Sequence, residues 1–72
     1  HSSPFLVETL TTREHEILAL MAQGMSNREI GEQLFLSAKT IENYSLSLYG
    51  KLAVRSRGQA VAKARTLGLL AT

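Results

Sequence analysis

The chain has no cysteine, no tryptophan and a single proline, at position 4. Without cysteine there is no disulfide framework and no thiolate metal site to supplement a core. Two Phe and two Tyr are the only aromatic residues, so the core must rest on Leu, Ile, Val, Met and Ala. No apolar run is long enough to cross a bilayer and no secretory signal is visible. The expectation is a soluble, cytoplasmic protein without membrane contact. Catalytic groupings are missing too. There are no paired carboxylates suited to a cleft, no nucleophile with a nearby base and no Gly-rich phosphate loop. His15 and Glu16 are adjacent and fit no metal-ligand spacing. An enzyme is not expected, nor a metal or cofactor. A net charge of +2 with a pI near 9.4 permits a nucleic-acid partner without requiring one.

What remains is a 72-residue chain that is 44% apolar. That is one small domain, and at this size an unstapled core is best built from helices with local contacts. His1-Ser2-Ser3 reads as the remnant of an expression tag, and residues 1–9 as a tail. Phe5, Leu6 and Val7 in that tail are apolar enough to dock on the core. The missing initiator Met suggests a domain excised from a longer protein.

Capping signals divide the rest. Thr11 and Glu14 have capping-box spacing, and Ile17, Leu18, Met21 and Ala22 follow as a buried stripe with Leu20 at its margin. Gly24 ends this helix as a left-handed C′ residue. Ser26 and Glu29 open a short second helix, with Met25 and Ile30 placed as its hydrophobic staple. Ile30 and Leu34, with Gln33 beside them, mark its inner side. Gly31 in its middle costs roughly 1 kcal/mol against Ala, and close packing of another helix is the expected reason. Phe35-Leu36 makes a tight turn into Ser37, the N-cap of a helix running from Ala38 to Leu52. Ile41, Ser45, Leu48 and Leu52 share one face of it. Lys39, Glu42, Asn43 and Leu46 lie on the opposite face, either as a solvated surface or as a set aimed at DNA base edges. Ser56 and Gln59 have the spacing of a third capping box, opening a last helix over about Arg57 to Leu67. Ala60, Val61, Ala64 and Leu67 form its stripe. Gly68 is a C′ residue, and Leu69 and Leu70 can fold back on the core. The fold class is all-α: a compact four-helix bundle containing a helix-turn-helix.

These residues together resemble the LuxR-type helix-turn-helix (also called GerE-like, or NarL/FixJ C-terminal). The matching pattern is Leu10-Thr11-x-Arg13-Glu14-x-Glu16-Ile17-Leu18, then Gly24-x-Ser26-Asn27-Arg28-Glu29-Ile30. Leu34-x-x-Ser37-x-x-Thr40-Ile41 and Lys51-Leu52-x-Val54-x-x-Arg57 follow. Ala60-Val61-x-x-Ala64 and Leu67-Gly68-Leu69-Leu70 close it. The resemblance covers about Leu10 to Leu70, and the domain is taken as residues 10–72. It implies the C-terminal DNA-binding domain of a bacterial transcription regulator. Its third helix, 38–52, enters the major groove of double-stranded DNA, and its last helix forms a homodimer contact on DNA. RNA polymerase is a candidate further partner.

By resemblance, Ser37 and Thr40 sit where the mouth of the reading helix meets phosphate. Asn27 and Arg28 open the helix that crosses the backbone. Lys51 and Arg57 fall at basic positions; Lys51 reads as a phosphate contact, and Arg57 as either that or a structural residue bonding helix-end carbonyls. Lys39, Glu42, Asn43, Leu46 and Ser47 complete the expected DNA-contact set. Many relatives carry Lys or Arg where this chain has Glu42 and Leu46, so the reading face is less basic than usual. Tyr44 replaces a common His, and Ala53 stands where Gly often closes the helix. The competing reading is a helical protein-interaction domain that keeps the fold and has lost DNA affinity.

Overall fold

A computed structural model of the chain describes residues 10–70. Four helices follow in order: α1 (Thr12–Ala22), α2 (Asn27–Leu34), α3 (Ala38–Leu52) and α4 (Arg57–Thr66). The expected docking of Phe5, Leu6 and Val7 lies outside the described residues. α3 is the central element and packs against each of the other three, and α1 also touches α2 and α4.

The core is the one that the helical stripes define. Ile17, Leu18, Leu20 and Met21 from α1, Ile30 from α2, Ile41, Leu48 and Leu52 from α3, and Ala60 and Ala64 from α4 are all buried. Leu10, Leu36, Leu69 and Leu70 close around them from outside the helices, and Val61 lies half-buried at the margin. Leu69 and Leu70 therefore do fold back. Gln33 and Leu67 do not belong to the interior. Gln33 is exposed, and Leu67, with 41% of its surface open, follows α4 as its C-cap residue. The apolar stripe of α4 thus ends at Ala64.

The first two capping boxes form in full. Thr11 and Ser26 accept from the amides of Glu14 and Glu29, whose carboxylates return to the N-cap amides. The third forms by half. Ser56 accepts from the Gln59 amide, but the Gln59 side chain takes the Arg55 N–H at 2.8 Å, one residue before the cap. Ser56 has φ −146°, whereas Thr11 and Ser26, which complete their boxes, have φ −71° and −73°.

The turn between α2 and α3 sets the angle at which α3 leaves the core. Phe35, 93% exposed, adopts the left-handed conformation (φ 61°) as the C-cap of α2. The chain then doubles back so tightly that the Leu36 amide donates to the Gly31 carbonyl at 2.8 Å. A Cβ on Gly31 would lie 2.4 Å from the Leu36 carbonyl oxygen. The glycine is needed, but its close neighbour is the backbone of this turn and not a packed helix.

Candidate nucleic-acid interface

Helix α3 carries three kinds of surface, separated by the angle of about 100° that each residue adds around the helix axis. Ile41, Ser45, Leu48 and Leu52 face the core, and the Ser45 hydroxyl is satisfied by donating to the Ile41 carbonyl at 2.8 Å. One flank faces the start of α1. The remaining surface faces away from the protein.

The start of α3 is held by Ser37. Its hydroxyl accepts from the Thr40 amide at 3.0 Å and donates to the Thr40 hydroxyl at 2.9 Å. Both side chains therefore sit at the N-terminal mouth of the helix, as expected. The first-turn amides there have no partner within the helix and point along the positive end of its dipole. Arg28, in the first turn of α2, is exposed and pairs loosely with Glu32 at 3.6 Å.

The outward surface holds Lys39, Glu42, Asn43 and Leu46, all exposed. Lys39 reaches the Glu42 carboxylate at 3.3 Å, one turn along the helix, with both side chains more than half in solvent. Leu46 keeps 62% of its surface open, although it sits mid-helix between the buried Ser45 and Leu48.

The flank toward α1 is different. Glu14 is 3% exposed. Its carboxylate accepts from Lys51 Nζ at 2.8 Å, from Ser47 Oγ at 2.9 Å and from the Thr11 amide at 2.9 Å. Burial opposes the charge on this carboxyl. The hydrogen bonds from Lys51, Thr11 and Ser47, with the positive charge of Lys51, outweigh it and bring the value from 4.5 down to about 2. Two residues expected at DNA, Ser47 and Lys51, thus have an internal partner. Thr11, Glu14, Thr40, Asn43, Tyr44 and Ser47 line an open groove of about 410 Å³ along this seam. Tyr44 is half-buried at its rim.

Arg57 and Asn27 are likewise brought together. The guanidinium donates to the Met25 carbonyl through Nη1 and to Asn27 Oδ1 through Nη2, the latter at 3.1 Å. It ties the first turn of α4 to the connection between α1 and α2. Bonding to a carbonyl at a helix junction, one of the two roles open for Arg57, is present.

Sequence reasoning passed over Arg55. It is exposed in the short connection between α3 and α4. The signal that would have found it is charge segregation. All six carboxylate residues precede Asn43, while five of the eight cations, Lys51, Arg55, Arg57, Lys63 and Arg65, follow it.

A short helix, a tight turn through a left-handed residue, and a longer capped helix with a largely polar outward surface make this a helix-turn-helix domain. The family model for bacterial regulatory proteins of the luxR family, GerE, matches residues 8–64, and the chain belongs to that family. It is 49% identical over 53 residues to the transcriptional regulatory protein LiaR of Bacillus subtilis, covering 74% of this chain and 25% of LiaR. It is 39% identical over 61 residues to the spore germination protein GerE of the same organism, covering 85% of this chain and 82% of GerE. The solved structure of the transcription factor GerE superposes with a TM-score of 0.80 over 86% of this chain and 92% of that one, at 39% identity. A Vibrio cholerae VqmA–ligand–DNA complex matches with a TM-score of 0.82 at 31% identity, covering 94% of this chain and 29% of VqmA. The chain thus spans only about a quarter of LiaR, and most of GerE. It is a LuxR-type helix-turn-helix domain of the transcription-regulator class, and the relatives named here are regulators rather than enzymes. No helix among the described residues is long and apolar enough to cross a membrane.

Proposed function

We propose that this chain binds double-stranded DNA sequence-specifically, as the output domain of a bacterial transcription regulator in the cytoplasm, with α3 in the major groove. The observation that carries this reading is the outward surface of α3. It is largely polar, with Leu46 exposed among Lys39, Glu42 and Asn43, and its helix is fixed on the core by a turn that admits only glycine at position 31. A VqmA structure with DNA bound is a supporting likeness. Ser37, Lys39 and Thr40 at the mouth of α3, with Arg28 on α2, meet the phosphates by charge, dipole and hydroxyl donors. Glu42, Asn43 and Leu46 face the bases. Asn27 and Arg57 act mainly by tying α4 to α2, Ser47 and Lys51 by tying α3 to Glu14 of α1, and Arg55 adds a phosphate contact beyond the end of α3. On DNA the domain pairs through α4 as a homodimer, across half-sites about one helical turn apart. RNA polymerase is a further partner in this reading.

A protein-interaction domain without DNA affinity is favoured by one observation, the carboxylate of Glu42 and the apolar Leu46 on the outward surface. A titration on random duplex DNA at several salt concentrations separates the two. Phosphate contacts require log K to fall linearly with log salt, by about 0.9 per contact. A flat, weak response across that range would favour the protein-interaction domain.

A further inference from the structure

We propose that Leu46 is a specificity-determining residue that packs on the C5-methyl group of a thymine in the major groove. Glu42, one turn earlier, faces an amino donor of a neighbouring base pair. The inference rests on the DNA-binding reading above and adds the class of base that this surface selects.

Glu42 and Leu46 are four residues apart, so they stand one above the other on the same strip of α3. Both turn away from the core stripe, Glu42 by roughly 90° and Leu46 by roughly 130°. Neither suits a phosphate. A carboxylate repels it, and an apolar side chain has nothing to offer it. Lys39, the cation beside this strip, is drawn onto Glu42 at 3.3 Å, Lys51 is held by Glu14 at 2.8 Å on the other flank, and Arg28 and Arg55 are on other segments. The strip that holds Glu42 and Leu46 therefore belongs over the groove floor and not over its walls.

On that floor the partners are few. The only apolar group that base pairs present in the major groove is the thymine methyl. An isobutyl side chain 62% exposed in the free protein gains by covering it. A carboxylate can only accept, so Glu42 selects the N4 amino group of cytosine or the N6 amino group of adenine. Lys39 lessens the repulsion from flanking phosphates by sharing the carboxylate charge. Asn43, on the adjoining strip, adds the amide geometry suited to adenine.

The test removes one methyl group at a time from the DNA. Sites are first selected from a random duplex pool with the parent protein. Each thymine of a selected half-site is then replaced by deoxyuridine, and affinities are measured for the parent and for Leu46→Ala at one fixed salt concentration. Leu46 is largely exposed, so the variant should keep the parent's unfolding temperature, which is checked first. At one thymine the parent should lose about fourfold in affinity, the worth of one buried methyl group, and Leu46→Ala should lose nothing further there. If deoxyuridine is tolerated everywhere, or the variant keeps the parent's full penalty, Leu46 does not read a methyl group. If the pool yields no enriched site and binding shows no salt dependence, the DNA reading itself fails, an outcome distinct from the other two.

Discussion

Helix α3 has two lysine–glutamate pairs, and they do opposite things. On the flank toward α1, Lys51 meets Glu14 at 2.8 Å, with side chains 21% and 4% exposed. On the outward surface, Lys39 meets Glu42 at 3.3 Å, with side chains 76% and 53% exposed. The first pair is largely buried and joined by Ser47 and the Thr11 amide, so breaking it is costly. The second is a solvated pair of the kind worth a fraction of a kcal/mol, weakened further by salt. It can open and exchange its partner at little cost. The same two residue types thus fix the helix on one side and leave it free to bargain with a ligand on the other. Burial makes the difference.

The largest effect that would break this comparison is expected at Glu14. Glu14→Gln keeps the size and the cap acceptor but removes the carboxylate charge that the Lys51 ammonium meets at 2.8 Å. A loss of about 3–5 kcal/mol of stability is expected at pH 7, against a change within about 0.5 kcal/mol for Glu42→Gln. The acid limb should differ as well. The folded-state value of Glu14, about 2, lies below the ordinary 4.5. Its contribution is therefore complete above pH 4.5 and is lost as pH falls toward 2. Urea unfolding at steps from pH 7 to pH 2 should show the parent and Glu14→Gln converging in that window. Parallel curves would mean that the buried pair contributes no more than the exposed one.

Arg57 extends the same test to a second internal tie. Arg57→Ala leaves the Met25 carbonyl and Asn27 Oδ1 without this donor, at a cost of about 1–3 kcal/mol. Arg57→Lys should recover little, because an ammonium cannot span both acceptors as the planar fork does. For DNA, the salt slope of a folded Arg57→Lys protein should match that of the parent. A slope shallower by about 0.9 for a folded Arg57→Ala protein would show that the guanidinium also neutralises a phosphate.

How much of this could be read from sequence follows the range of each interaction. The starts of α1 and α2 were legible because a capping box is complete within four residues, that of α3 because Ser37 is a good N-cap, and the core was legible because its stripes repeat along each helix. Glu14 was legible only as a cap. Its spacing from Thr11 already accounts for one carboxylate oxygen, and nothing local reveals that Ser47 and Lys51, 33 and 37 residues on, converge on the same group. Lys51 could therefore be taken only as a basic residue near DNA. Gln59 shows the limit at short range: the residue type and spacing were right, but its side chain takes the Arg55 amide instead. Gly31 was recognised as needed, while its partner, a carbonyl in the following turn, depends on the left-handed Phe35 that no residue preference announces. The outward set on α3 was legible as a surface, since whatever does not face the core must face something else.

The smallest expected effect concerns the end of α3, where the two regions of the helix meet. Gly50 is within the helix with nothing within 4 Å of where a Cβ would stand. Three residues later Ala53 takes the left-handed conformation, at φ 57°, that glycine adopts without strain. The residues are the reverse of what the backbone favours at each place. Gly50→Ala should add about 1 kcal/mol by helix preference, and Ala53→Gly about 1 kcal/mol by relieving the left-handed residue. For a domain of this size each is a rise of about 4–8 °C in Tm. The two sites share a hydrogen bond, from the Ala53 amide to the Gly50 carbonyl at 3.2 Å, so the double variant need not equal the sum. Position 50 also lies on the outward side, roughly in line with Lys39 and Asn43 along the axis. If the groove follows α3 to its end, a methyl group there stabilises the fold and lowers DNA affinity together, whereas Ala53→Gly changes stability alone. Thermal unfolding and a DNA titration on the two single variants decide this. Unchanged affinity in a stabilised Gly50→Ala protein would end the outward contact surface before position 50 and confine it to the first two to three turns of the helix.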